Sequence, residues 1–114
     1  MPSFEPWDVV RVPFPYTDRP VRQYRPALVA VAGDLEDAHG LIWLVMITSA
    51  ENRRWPDDVP VTDLESAGLP VPSLVRCAKI ATVDARSAQR LGSLPRADRA
   101  KVRARLRAQL RHLL

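Results

Sequence analysis

At 114 residues the chain is long enough for one domain and too short for two of ordinary size. Hydrophobic residues make up 46% and charged residues 26%, a balance that excludes a disordered chain, and the 11 prolines call for short, punctuated elements. A single cysteine, Cys77, excludes an intramolecular disulfide and a cysteine zinc cage, and the longest apolar run, residues 41–47, suits a buried strand rather than a bilayer span.

The start of the chain lacks the basic and apolar stretches of a signal peptide, so the expectation is a soluble, cytoplasmic protein with no membrane partner. Net charge is +4 but unevenly spread. From Arg96 onward seven basic residues face one acid, Asp98, for +6, while the first 95 residues carry 10 basic and 12 acidic groups, for −2. Fifteen of the 17 cations are arginine, whose planar fork suits phosphate. The tail reads either as a solvated helix face or as a contact for an anionic partner.

Residues 8–14 (Asp-Val-Val-Arg-Val-Pro-Phe) read as a strand, with Val10, Val12 and Phe14 on one face and Val9, Arg11 and Pro13 on the other. Pro13 removes a ladder donor and belongs at an edge or bulge. Residues 15–24 read as a loop, 26–32 as a second strand, and 33–40 as a polar turn closing a hairpin. Residues 41–48 are apolar on both faces and read as a central third strand. Residues 50–60 form another polar loop, and 64–68 a helical turn stopped by Gly68. Residues 73–76 and 79–83 are two short strands or one strand with a bulge, while 84–91 shows no clear period. Pro95 sets up a helix over about 96–112, in which Val102, Leu106, Leu110 and Leu113 make one buried stripe. Strands followed by one amphipathic helix describe a small, curved antiparallel sheet or partial barrel, with the helix stripe on the sheet and the arginines in solvent.

Several short motifs run in a fixed order: Asp8-Val-Val-Arg-Val-Pro-Phe-Pro15, Tyr16-Thr-Asp18, Arg25-Pro-Ala-Leu-Val29 and Ile47-Thr48-Ser49, then Ala67-Gly-Leu69, Ser73-Leu-Val-Arg76, Lys79-Ile80 and Leu91-Gly-Ser-Leu94. Together and in this order they resemble the MazF/PemK family of toxins. The resemblance implies one toxin domain, 1–114, with an SH3-like (CcdB/MazF-type) barrel over about 4–94 and a C-terminal helix. It implies the toxin of a type II toxin–antitoxin system, a homodimer, and a metal-independent endoribonuclease that needs no cofactor and cuts single-stranded RNA at short sequences. The implied partner is an antitoxin with an acidic, disordered segment.

Two departures stand out. The family usually has Gly-Asp before the first strand, where this chain has Trp7-Asp8. Two positions after Arg76, where the Kid-type branch commonly carries an acid, stands Ala78, so no carboxylate can act there.

Metal-free RNA cleavage uses the ribose 2′-hydroxyl as nucleophile and leaves a 2′,3′-cyclic phosphate and a 5′-hydroxyl. The protein must orient the attacking oxygen, move protons and stabilise phosphoryl charge. By the resemblance, Arg25 and Thr48 are the catalytic pair: Arg25 offers two parallel N–H donors, and Thr48 brings a hydroxyl to the end of the central strand. Without the resemblance, Arg25 reads as a surface cap and Thr48-Ser49 as the start of a turn. Ser49 and Arg76 are secondary RNA contacts, Arg76 reading equally as a rim salt bridge. Tyr16, Arg19, Arg22 and Tyr24 interleave aromatic and guanidinium planes on which unpaired bases stack, and Arg53 and Arg54 beside Trp55 form a second cluster. Tyr24 and Trp55 also read as half-buried core edges. His39 and His112 are too far apart in pattern for an acid–base pair, Cys77 has no histidine near it, and no spacing suits a metal. The rival readings are a CcdB-like toxin that binds DNA gyrase and a catalytically inactive RNA- or partner-binding barrel.

Overall fold

The computed structural model describes residues 3–15 and 22–114. Six strands form one antiparallel sheet: β1 (Asp8–Pro15), β2 (Arg22–Val31), β3 (Leu41–Ser49), β4 (Asp58–Pro60), β5 (Ser73–Asp84) and β6 (Gln89–Ser93). Their order is β4-β5-β3-β2-β1-β6, and no ladder joins β4 to β6 among the described residues. Three helices intervene: α1 (Asp34–His39), α2 (Leu64–Ala67) and α3 (Arg96–Leu110). Register shifts at Val9/Val10, Val29/Val31 and Val45/Ile47 insert bulges, which increase local twist and curve the sheet.

Both faces of the middle strands are buried, as the continuous apolar run in β3 requires. On one face Val9, Leu28, Val45, Ile47 and Val75 pack with Leu94 and with Val102 of α3. On the other, Val10, Val12, Ala27, Val29, Ile42, Leu44 and Met46 pack with Phe4, Ala32 and Ala85. The alternation expected for β1 therefore holds, with Val10 and Val12 on one face and Val9 on the other. The ladder with β6 ends at Arg11, so Pro13 sits where β1 has β2 as its one described neighbour.

Several boundaries differ from the sequence reading. Arg22, Gln23 and Tyr24 belong to β2, paired with Pro15, Phe14 and Pro13, and not to a loop. The expected hairpin turn at 33–40 is the six-residue helix α1, ended by Gly40 in the left-handed region. It buries none of its residues, so it shows no apolar period; Phe4 N–H donates to Glu36 Oε1 at 2.9 Å and ties it to the N-terminal segment. Residues 73–84 are one strand with a bulge opposite β3. The segment 84–91 resolves into a short 3-10 turn, Ala85–Ser87, and the edge strand β6. The stripe on α3 is buried at Val102 and partly at Leu106, but Leu110, the last residue of the helix, and Leu113 beyond it are exposed.

Candidate RNA-cleavage site

The pairing between β2 and β3 ends at Ala27 with Met46. By alternation, Arg25 and Thr48, each two residues beyond that pair, stand on the face that carries Ala27 and Met46. Val12 pairs with Arg25, and Thr48 pairs with Leu74. Val12, Arg25, Thr48 and Leu74 thus share one face as a row interrupted between β2 and β3. Arg25 and Thr48 flank the place where the β2–β3 pairing stops. A cavity of about 130 Å³ opens at the gap, lined by Arg25, Met46, Ile47, Thr48, Asn52, Arg76 and Lys79.

Arg76 enters this cavity from β5 with its charge already compensated. Its Nη2 donates to Asp58 Oδ2 at 3.0 Å and to the Arg53 carbonyl at 2.7 Å, and its Nε donates to Asp58 Oδ1 at 3.3 Å. Trp55 lies flat on its guanidinium, 4.0 Å from ring centroid to Cζ. The Asp58 side chain is fully buried, so the pair is a structural strut as well as part of the wall.

Tyr24 and Ser49 alternate to the opposite face of the sheet from Arg25 and Thr48. They line a neighbouring cavity of about 480 Å³ that shares Arg25 and Ile47 with the first and is closed by Leu69, Val71 and Leu91. Tyr24 is exposed and stacks with Arg11, 4.2 Å away. Arg53 and Arg54 lie exposed on the β3–β4 loop. Tyr16 and Arg19 lie outside the described residues, as does the side chain of Arg22. His39 ends α1 and His112 follows α3; neither lines the cavity. Cys77 is buried in the core, and burial, with Asp57 and Asp58 nearby, pushes its thiol up to about 11, against a nucleophilic role. No three His, Cys, Asp or Glu side chains among the described residues gather as a metal site.

Two polar lining residues escaped the sequence reading of the site, Asn52 and Lys79. Lys79 stands at the β5 bulge, which the sequence offered as one of two readings without pointing Lys79 at the site. Asn52 is one polar residue among many in the loop, and only its turn brings it back to Thr48.

The arginine-rich helix α3 packs on the other face from the Arg25–Thr48 row, through Val102. Arg99 and Arg103 lie over Trp7, and Arg105 pairs with Asp57. The tail's charge is therefore not part of the cavity wall.

The sheet and its cavity define a small β domain with a guanidinium and a hydroxyl set side by side at the parting of two strands. A family model described as PemK-like, MazF-like toxin of type II toxin–antitoxin system matches residues 5–110. The structure is similar to that of MazF from Deinococcus radiodurans, at 24% identity and a TM-score of 0.76, covering 96% of this chain and 98% of that one. It is similar to the Mycobacterium tuberculosis toxin MazF-mt6, at 19% identity and a TM-score of 0.67 over 94% of this chain and 97% of that one. A mycobacterial endoribonuclease in complex with its cognate antitoxin has a TM-score of 0.69 at 19% identity over 96% and 95% of the two chains. Comparison with curated proteins gives no match. The chain belongs to the PemK-like, MazF-like toxin family of type II toxin–antitoxin systems.

Proposed function

We propose that this toxin is an endoribonuclease that cleaves single-stranded RNA without a metal. The observation that carries the reading is the placement of Arg25 and Thr48 on one wall of one cavity. A scissile phosphate seated there meets the planar N–H fork of Arg25 and the hydroxyl of Thr48. Both donate to non-bridging oxygens, where charge builds as the ribose 2′-oxygen attacks phosphorus. The new P–O2′ bond forms as the P–O5′ bond breaks, the 2′-proton leaves and a proton reaches the 5′-oxygen. The products are a 2′,3′-cyclic phosphate and a 5′-hydroxyl. A guanidinium, planar and firmly cationic, suits charge stabilisation better than proton transfer.

Around this centre, Lys79 adds a cation to the lining, and the Trp55–Arg76 stack offers a plane for an unpaired base. Tyr24, Ser49, Arg53 and Arg54, with Tyr16, Arg19 and Arg22, are the proposed contacts to flanking nucleotides. The antitoxin is proposed to lay an acidic segment, disordered when free, along the same cations and to exclude RNA. The toxin is proposed to act as a homodimer in the cytoplasm. The test is cleavage of a defined single-stranded RNA by the full chain in EDTA, with the ends mapped. Discrete cuts with 5′-hydroxyl ends support the reading, and intact RNA beside undiminished toxicity contradicts it.

A further inference from the structure

The loop after β3 does more than connect. Asn52 N–H donates to the Ser49 carbonyl at 3.0 Å and closes a turn directly on the strand end. Ala50 N–H donates to the Pro72 carbonyl at 2.9 Å, and Glu51 N–H to Ser49 Oγ at 3.2 Å. The turn is thereby fastened both to itself and to the approach of β5. It carries the Asn52 side chain back over the strand, where Nδ2 donates to Thr48 Oγ1 at 2.6 Å. Asn52 and Thr48 then line the same cavity as Arg25.

A threonine hydroxyl has one proton to give and two acceptor sites, and it rotates to suit its surroundings. When Asn52 occupies an acceptor site, the hydroxyl proton must point elsewhere, and the bond it accepts strengthens the one it gives. We propose that Asn52 is a positioning residue: it fixes the Thr48 hydroxyl as a donor aimed into the cavity, at a non-bridging oxygen of the scissile phosphate. Asn52 itself need not touch the RNA. This inference rests on the ribonuclease reading of the site and specifies how Thr48 is used within it.

The experiment is single-turnover cleavage of single-stranded RNA by the full chain, comparing wild type, Asn52→Ala, Asn52→Asp, Thr48→Ala and the double variant Thr48→Ala/Asn52→Ala. Circular dichroism checks that each variant folds; Asn52 is an exposed loop residue and Thr48 a partly buried residue at the end of β3. Asn52→Ala is expected to slow the cleavage step roughly tenfold, less than the ~10²–10³ for deleting a donor outright, with RNA affinity unchanged. Asn52→Asp is expected to be slower still, because a carboxylate only accepts and draws the Thr48 proton away from the phosphate. In the Thr48→Ala background the Asn52→Ala effect should vanish. A second readout uses RNA with sulfur in place of either non-bridging oxygen. Wild type should be slowed on one stereoisomer, and that selectivity should shrink in Asn52→Ala. Normal cleavage by Asn52→Ala, a loss of RNA affinity alone, or a full Asn52 effect persisting without the Thr48 hydroxyl overturns the positioning role while leaving the ribonuclease reading in place. A wild-type chain that cuts no RNA overturns both.

Discussion

Arg25 and Arg76 line the same cavity, yet the chain uses Arg76 for architecture as well. The buried Asp58–Arg76 pair, with the exposed Trp55 ring and the Arg53 carbonyl, forms one assembly that pins the β3–β4 loop to β5. Removing one partner of a buried ion pair strands the other, at a cost of about 3–5 kcal/mol. Asp58→Ala is accordingly expected to destabilise the fold by that order, read as a lower midpoint in urea unfolding. Cys77 gives a second residue-scale expectation. Its thiol is held near pH 11, above the ordinary value of 9.0, so between those pH values the unfolded chain ionises first and folding stability falls as pH rises. In Cys77→Ser this added fall above pH 9 should be absent, as measured by denaturant titration at pH 8 and pH 10. The fates of such residues are only partly readable from a sequence. The family pattern singled out Arg25 and Thr48, which line one cavity, but Asp58 beneath Arg76 and Asn52 over Thr48 are contacts made across turns, which periodicity does not encode.

At the scale of the element, the most legible pieces were those with a strong apolar period. β1 and β3 showed their faces, and α2 showed its stop at Gly68. α1 and β6 were not legible for the opposite reason. α1 buries no residue, and β6 is mostly exposed and held by backbone pairing to β1. The period of α3 identified its inner face, but not that burial stops at Leu106 and the helix at Leu110. Trp7 shows how a departure from a family pattern is accommodated. It takes φ of 79°, the left-handed geometry that suits the family's usual glycine. The strain is offset by bonds on both sides, Trp7 N–H to the Val29 carbonyl and Leu94 N–H to the Trp7 carbonyl, each 2.9 Å, and by packing of the ring under Arg99 and Arg103. Gly68 has no such freedom to change. At φ of 72°, a Cβ there would run into the Leu91 carbonyl of β6. Gly68→Ala is expected to cost at least about 2 kcal/mol, measured as a fall in thermal or urea stability.

Over the whole molecule, charge and chemistry are placed on different faces. The sequence made the C-terminal segment the most basic part of the chain, while the fold sets α3 behind the sheet from the Arg25–Thr48 row. Exposed charges act weakly beyond about 8 Å at physiological salt. The double substitution Arg105→Gln/Arg107→Gln should therefore leave the cleavage rate within about threefold of wild type at 0.15 M salt. If the proposed contact of an acidic antitoxin segment with the cavity cations carries inhibition, inhibition should weaken as salt rises; an affinity independent of salt would count against that mode of binding. The most direct test of the site itself is end-mapping of a long single-stranded RNA incubated in EDTA with wild type, Arg25→Ala and Thr48→Ala. The expected result is discrete cuts bearing 5′-hydroxyl ends with wild type and cleavage slowed by about 10²–10³-fold or more with either variant. Uncut RNA, with wild type and both variants equally toxic in cells, would contradict the ribonuclease assignment and point to a protein target instead.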